Sequence, residues 1–165
     1  MNTLLPLAPV LKRGYTTENL YWYAGTLMNI LIDGEQTDGQ FAQIEVTTRP
    51  GSEPPLHTHT REDEAVFLLE GSIRFIVGDQ VFTAKAGDYV LLPKGIPHTF
   101  QVLTESARTL LTISPAGFEN FFRHPKLAKP APTLALPPLH KGHHRQKLSR
   151  CSRNWLRNLV SKASR

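Results

Sequence analysis

The chain has 165 residues, of which 40% are hydrophobic, and this length and composition suit one compact domain with its own core. Its net charge of +5 is confined to one end: residues 1–122 hold 8 basic and all 14 acidic residues, a net charge of −6, whereas residues 123–165 hold 11 basic residues and no acid. We therefore expect no nucleic-acid partner, because nucleic-acid binding would have to depend on the tail alone.

No apolar run approaches the roughly 18 residues that a membrane span needs, and in residues 1–13 the charges follow the apolar residues, unlike in a secretory signal. Cys151 is the only cysteine, so an internal disulfide is excluded, which fits a reducing compartment. The sequence predicts a cytoplasmic protein with no membrane partner.

Residues 1–25 are predicted to form an N-terminal arm. In this arm Thr16–Asn19 leads into the aromatic cluster Tyr21–Tyr23. The cluster suits simple core packing, or an arm that packs on a wall of the domain or across a dimer interface.

Short β-branched and aromatic runs separated by glycine, proline and aspartate continue from Thr26 to Ser114, the pattern of an all-β sandwich or barrel. Turn residues at 78–80 and 86–88 make most successive strands antiparallel neighbours. The sequence therefore predicts a single jelly-roll β-barrel, with a capping helix, over residues 26–124. The predicted strands are Thr26–Ile32, Phe41–Thr48, Glu64–Leu69, Ser72–Val77, Val81–Ala84, Tyr89–Leu92, His98–Leu103, Arg108–Ile113 and a shorter one through His57–His59.

Residues 116–123 are predicted to form the short C-terminal helix, because their phenylalanines recur at helical spacing. Residues 125–165 follow as a linker with five prolines and a basic tail. From residue 139 the tail is either a lineage-specific extension or a translated out-of-frame segment. Its apolar stripe indicates an amphipathic helix or a solvated segment. The stripe consists of Leu148, Ser152, Trp155, Leu156 and Leu159.

His57-Thr58-His59 carries the first chemical signal, because residues two apart on an extended strand point to the same face. Glu64 follows where the next strand can return a carboxylate to the pair, and His98 begins a later strand. Three imidazoles and one carboxylate suit a divalent transition metal and not Ca²⁺, which prefers oxygen ligands. The sequence therefore predicts one divalent metal ion, of Fe, Mn, Ni, Cu, Co or Zn, held by these four residues.

The spacing of these residues resembles the two motifs of the cupin family. The run from Gly51 to Gly71 resembles the first motif at every position, and the run from Gly87 through Pro93–Gly95 to His98 resembles the second. One position departs from the family pattern, because Val102 stands where the second motif commonly has asparagine. That asparagine has mainly a structural role, so the expected metal ligands are unaffected.

Two adjacent carboxylates compete for the fourth ligand position, because the family allows three or four residues between the second histidine and the acid. Six residues separate the family's carboxylate from the following glycine, and Gly71 then selects Glu64 over Asp63. Asp63 stays open as the less favoured alternative. Glu62 is expected at the surface or beside a ligand.

The chain resembles more closely the small single-domain cupins of quercetin 2,3-dioxygenase type, through Pro54–Glu64, Pro93–His98 and Pro115–Glu119. This resemblance implies a dioxygenase, an oxidoreductase that acts on a small enol or flavonol-like substrate, with Glu64 as both ligand and catalytic base. It also implies a homodimer. A metal-dependent isomerase or cyclase and a non-catalytic cupin that binds a small molecule remain alternatives.

Overall fold

A computed structural model describes residues 10–11 and 15–138 of the chain. The predicted tail helix, together with His140, His143, His144 and Cys151, lies outside the described residues. Within them, ten strands and two short 3₁₀ helices make up the regular structure. The 3₁₀ helices are η1 (Thr17–Asn19) and η2 (Phe118–Arg123). The strands are β1 (Leu20–Tyr23), β2 (Thr26–Ile32), β3 (Ala42–Thr48), β4 (Asp63–Glu70), β5 (Ser72–Val77), β6 (Gln80–Lys85), β7 (Tyr89–Leu92), β8 (His98–Val102), β9 (Ala107–Ser114) and β10 (Ala128–Pro130).

Two antiparallel sheets form the fold. The larger has the strand order β10-β1-β2-β3-β9-β4-β7, and the smaller has the order β6-β5-β8. A core cluster joins the sheets, since Val66 and Leu68 of the larger pack with Ile73 and Phe75 of the smaller. The predicted all-β jelly roll is confirmed, and among the described strands its hydrogen bonding stays in two sheets rather than closing into one ring.

The strands come close to their predicted bounds because alternating apolar and polar residues mark them in the sequence. Thr26–Ile32, Ser72–Val77 and Tyr89–Leu92 begin and end as predicted, and the other main strands differ by one residue at one end or at both. The short strand predicted through His57–His59 is wrong. Only an isolated bridge to His98 forms there.

Both flanks of the predicted barrel contribute to the larger sheet. The aromatic cluster forms β1, which pairs with β2 on one side and with β10 on the other. The proline-rich segment was predicted to be extended and without regular hydrogen bonding, and this prediction is wrong at Ala128–Pro130, which pairs with β1. The division into an arm, a barrel and a tail stays a prediction.

Gly71 joins β4 to β5 at a point where only glycine fits. Its φ is +85°, and a Cβ there would lie 2.6 Å from the carbonyl oxygen of Ser106 and 2.7 Å from Oγ1 of Thr104. The close approach fixes where β4 ends, and with it which residues of β4 face the interior.

Among the described residues, no helix has both the length and the apolar character required to cross a membrane.

Candidate metal centre

Four predicted ligands meet between the two sheets. One ligand atom from each of His57, His59, Glu64 and His98 lies within 4.8 Å of the other three. His59, Glu64 and His98 are buried, and His57 is partly buried. The arrangement has the donor set and the compactness that a single divalent transition metal requires.

Each ligand is positioned by a different part of the fold. Glu64 is the second residue of β4, on the same inner face as the core residue Val66. His98 begins β8 in the other sheet. His57 is held beside it by two backbone hydrogen bonds, from His57 N to His98 O at 3.1 Å and from His98 N to His57 O at 2.8 Å. His59 is anchored by its carbonyl, which accepts the amide of Gly95 at 2.8 Å.

Two of the imidazoles have their Nδ1 atoms committed to backbone carbonyls. Nδ1 of His57 lies 2.8 Å from the carbonyl oxygen of Pro55, and Nδ1 of His98 lies 3.0 Å from that of Ile96. A carbonyl oxygen only accepts, so Nδ1 must carry the proton in both rings. The lone pair of each neutral ring is then on Nε2, the tautomer that a metal ligand with a backbone partner normally has.

The carboxylate of Glu64 faces two of these Nε2 atoms. Oε1 lies 3.5 Å from Nε2 of His59, and Oε2 lies 3.4 Å from Nε2 of His98. Both nitrogens are buried, and neither has a hydrogen-bond partner among the described residues. Buried polar atoms left without partners cost free energy, so their convergence on one carboxylate fits a bound cation.

Asp63 points away from this cluster. Its Oδ1 accepts the backbone amide of Lys94 at 2.8 Å, and its Oδ2 lies 3.8 Å from Lys94 Nζ. Side-chain exposure separates the two acids, at 44% for Asp63 and 9% for Glu64. The geometry therefore gathers Glu64, and not Asp63, with the three histidines.

Burial and charge move the pKa values of two of the histidines in opposite directions. Burial lowers the pKa of His57, so the ring is neutral near pH 7, as a metal ligand must be. Burial also acts to lower the pKa of His98, but the nearby negative charge of the Glu64 carboxylate and the Ile96 carbonyl on Nδ1 outweigh it and raise that pKa. A proton on His98 therefore competes with a cation for Nε2.

Two side chains lie beside His59: Phe118, which the sequence did not identify, and Glu62, which it placed at the surface or beside a ligand. The ring of Phe118 packs edge-on against the His59 imidazole, with centroids 4.6 Å apart. The Glu62 carboxylate lies near the His59 nitrogen that faces away from Glu64, with Oε2 3.9 Å from Nδ1. The phenylalanine spacing of η2 predicted a cap on the barrel, but nothing in it indicated contact with a ligand.

The walls around the cluster carry no cation on the described strands. Three strand cations are exposed to solvent: Arg74, Lys85 and, in the peripheral β10, Lys129. Arg108 pairs with Glu45 and Glu70 on the outer face of the larger sheet. The interior near the site is instead apolar and aromatic. Its residues are Met28, Ile30, Ile44, Val46, Ile113 and Phe122, with Tyr21, Tyr23, Leu111 and Phe118 packed against them.

The sequence predicts four inward residues that would form either an aromatic wall for substrate or ordinary core: Phe41, Gln43, Phe75 and Phe100. Only part of this set faces inward. Gln43 faces outward, where its Nε2 donates to Oγ1 of Thr112 at 3.3 Å, and Phe41 precedes β3. Phe75 and Phe100 do face the interior, with centroids 5.9 Å apart.

Comparison with known proteins agrees with this geometry. The cupin domain model matches residues 44–114. Quercetin 2,3-dioxygenase of Bacillus subtilis (strain 168) is 23% identical over 88 residues, which cover 53% of this chain and 26% of that protein. Oxalate decarboxylase OxdC of the same organism is 30% identical over 84 residues, which cover 48% of this chain and 22% of that protein. The matches thus span about a quarter of each curated relative.

A solved structure shares the fold. The polyketide cyclase RemF of Streptomyces resistomycificus superposes with a TM-score of 0.54 at 23% identity, covering 64% of this chain and 80% of that chain. The motifs, the two-sheet fold and the family match lead to one conclusion: the chain contains a cupin domain over residues 44–114.

Proposed function

We propose that this cupin binds one divalent transition metal ion through His57, His59, Glu64 and His98 and uses it in catalysis. The donor set of three nitrogens and one carboxylate suits Fe, Mn, Ni, Cu, Co or Zn. Such an ion accepts five or six ligands, so it would offer substrate one or two positions and act there as a Lewis acid. The two Nδ1 hydrogen bonds to carbonyls support the proposal, since they fix the Nε2 tautomers beforehand.

The reaction that the site supports best is dioxygenation of a small enol or flavonol-like substrate, as in enzymes of the quercetinase type. The observation that carries this proposal is that Glu64, the buried carboxylate of the cluster, lies within apolar and aromatic walls. A flat, largely uncharged substrate matches such walls. The Glu64 carboxylate would accept the proton of the substrate hydroxyl, which prepares an electron-rich oxygen.

Small dicarboxylates are a poorer match for this interior. A second carboxylate of the substrate would need a cationic partner, and the described strands direct no lysine or arginine toward the cluster. Arg61, in the loop between His59 and Glu64, already pairs with Glu62 and donates to the Ala116 carbonyl. The weak likeness to an oxalate decarboxylase therefore does not extend to the substrate that this site favours.

The test begins with metal content. The full chain is purified without added metal, its metals are quantified, and His98→Ala is compared with His124→Ala, a matched control because His124 is exposed and outside the cluster. We expect one metal per chain in the wild type and the control, and a large loss in His98→Ala. Full retention in His98→Ala would overturn the ligand assignment.

Turnover then identifies the reaction class. Metal-loaded protein is offered flavonols and small enols with and without O₂, and substrate loss is compared with O₂ uptake. Equal consumption of O₂ and substrate, with no turnover under anaerobic conditions, supports a dioxygenase. Turnover without O₂ would instead indicate an isomerase or cyclase, and saturable binding without turnover would indicate a binding protein.

A further inference from the structure

A buried carboxylate outside the proposed ligand set ties the capping helix to a neighbouring loop. Glu119, in η2, is 1% exposed, and both of its oxygens are used. Oε1 accepts the backbone amide of Gly34 at 3.0 Å, and Oε2 accepts that of Gly117 at 2.5 Å. A carboxylate at such depth is tolerated because charge-assisted hydrogen bonds replace its hydration.

The loop between β2 and β3, which contains Gly34, packs tightly against η2. A Cβ on Gly34 would lie 2.8 Å from Cβ of Ala116 and 3.1 Å from Oε1 of Glu119. Two further bonds join the same parts, from the amide of Ala116 to the carbonyl of Gly39 at 3.0 Å and from Arg123 to Asp33 at 3.0 Å. The position of η2 is therefore set by the loop, with the Glu119 carboxylate at the centre of the contact.

This connection reaches the cluster through the residue that precedes Glu119. Phe118 packs on the imidazole of His59 with an interplanar angle of 77°. His59 differs from His57 and His98 because, among the described residues, no backbone carbonyl is hydrogen-bonded to its Nδ1. The Phe118 ring is thus a principal constraint on the plane of this imidazole.

We propose that Glu119 is a positioning residue for the metal centre, acting through η2 and Phe118 to hold the His59 imidazole in its ligating orientation. The inference depends on the proposed function, because it requires that the cluster bind metal. Glu119 itself touches neither the four ligands nor the space between them. Its effect is transmitted by the short helix that it fixes.

Co²⁺ binding to the full chain tests this inference, with the visible spectrum and the rate of Co²⁺ release to a chelator as readouts. Glu119→Gln replaces one accepting oxygen by an NH₂ group that cannot accept a backbone amide. We expect shifted ligand-field bands and release that is roughly ten-fold faster, as when a group that orients a metal ligand is removed. Glu35→Gln removes the same charge from an exposed glutamate of the same loop, and it should behave as the wild type.

The transmission through Phe118 is tested by combining substitutions. Phe118→Leu should change the spectrum in the same sense as Glu119→Gln, and the double variant should release Co²⁺ no faster than Phe118→Leu alone. Additive effects would overturn the proposed route. If Glu119→Gln does not fold, Gly34→Ala disturbs the same contact from the loop side and should give the same spectral change.

Two results of the Co²⁺ experiment distinguish the proposed metal site from the positioning role of Glu119. A wild-type chain that binds no Co²⁺ at the cluster would contradict the proposed function itself. A wild-type chain that binds Co²⁺, with an unchanged spectrum and release rate in both Glu119→Gln and Gly34→Ala, would contradict only the positioning role.

Discussion

The carboxylate of Glu64 in β4 lies between the imidazoles of His59 and His98, 3.5 Å and 3.4 Å from their respective Nε2 atoms. The preceding residue, Asp63, points the other way, toward Lys94. Alternation along β4 thus separates two neighbouring acids into one that faces the cluster and one that faces solvent. This pair provides a matched comparison in which chemistry, sequence position and charge are nearly the same.

Glu64→Gln should abolish most metal-dependent stabilisation, whereas Asp63→Asn should retain it. A ligand at 100 times its Kd raises the free energy of unfolding by about 2.7 kcal/mol, and loss of the only carboxylate in the donor set should remove most of that gain. Thermal unfolding with and without added metal measures it. Equal metal-dependent stabilisation in both variants would assign the fourth ligand elsewhere.

Gly71→Ala should destabilise the fold by roughly 2 kcal/mol or more, because a Cβ there combines positive-φ strain with a clash against the Ser106 carbonyl. Gly87→Ala is the control: its φ of +94° is equally unfavourable, but nothing lies within 4 Å of its Cβ. We expect about 1 kcal/mol there, from strain alone. Urea unfolding of the two variants isolates the clash, and equal losses would show that the close approach to residue 106 relaxes freely.

The Asp33–Arg123 pair should make stability depend on pH in the acid range. Burial acts to raise the pKa of Asp33, but hydrogen bonds from Arg123 and from the amides of Gln36 and Glu35 outweigh it and lower that pKa. Because the folded-state pKa of Asp33 lies below the unfolded value of about 3.9, the ionised carboxylate stabilises the fold above that pH. This stabilisation is lost as the pH falls through the folded-state pKa.

Asp33→Asn should therefore cost about 1 kcal/mol at pH 7. The difference from the wild type should shrink as the pH falls below about 4. Urea unfolding at several pH values measures this difference, and Arg123→Leu should weaken the same pH dependence. A difference that stayed constant down to pH 3 would mean that the ion pair does not stabilise the fold.

Ala131→Asp should be strongly destabilising, because it places a charge in the small hydrophobic core under the proline-rich segment. Ala131 is 2% exposed, packs with Leu20 and Leu27, and donates its amide to the Leu20 carbonyl at 2.8 Å. The expected cost is on the order of 3 kcal/mol. Ala135→Asp, at an exposed position of the same segment, should change thermal stability little. Similar losses in both would argue against burial as the cause.

The strands were predictable because apolar and polar residues alternate along them. The ligands were predictable because their spacing resembles the two cupin motifs, and alternation along β4 agrees with the choice of Glu64. Gly71 illustrates the link. Its position in the sequence favoured Glu64 over Asp63, and its contact with residue 106 is the physical reason that β4 must end there.

Other features could not be predicted because they depend on partners distant in the chain. The carbonyls of Pro55 and Ile96, which fix two imidazoles, look like any other backbone groups in a sequence. The outward direction of Gln43 depends on the phase of β3, and an error of one residue exchanges its two faces. Ala128–Pro130 pairs only because β1 offers it a free edge, which its prolines give no reason to expect. The predicted homodimer and cytoplasmic location stay predictions.

The isolated bridge between His57 and His98 lies at a seam, since Glu64 comes from the larger sheet and His98 from the smaller. An ion held by both would act as a clamp across that seam. Opening of the sandwich would then require release of the ion first, so the metal-free protein would open more often. Because proteases attack transiently opened chains, the amount of this protein in a cell would follow the metal supply.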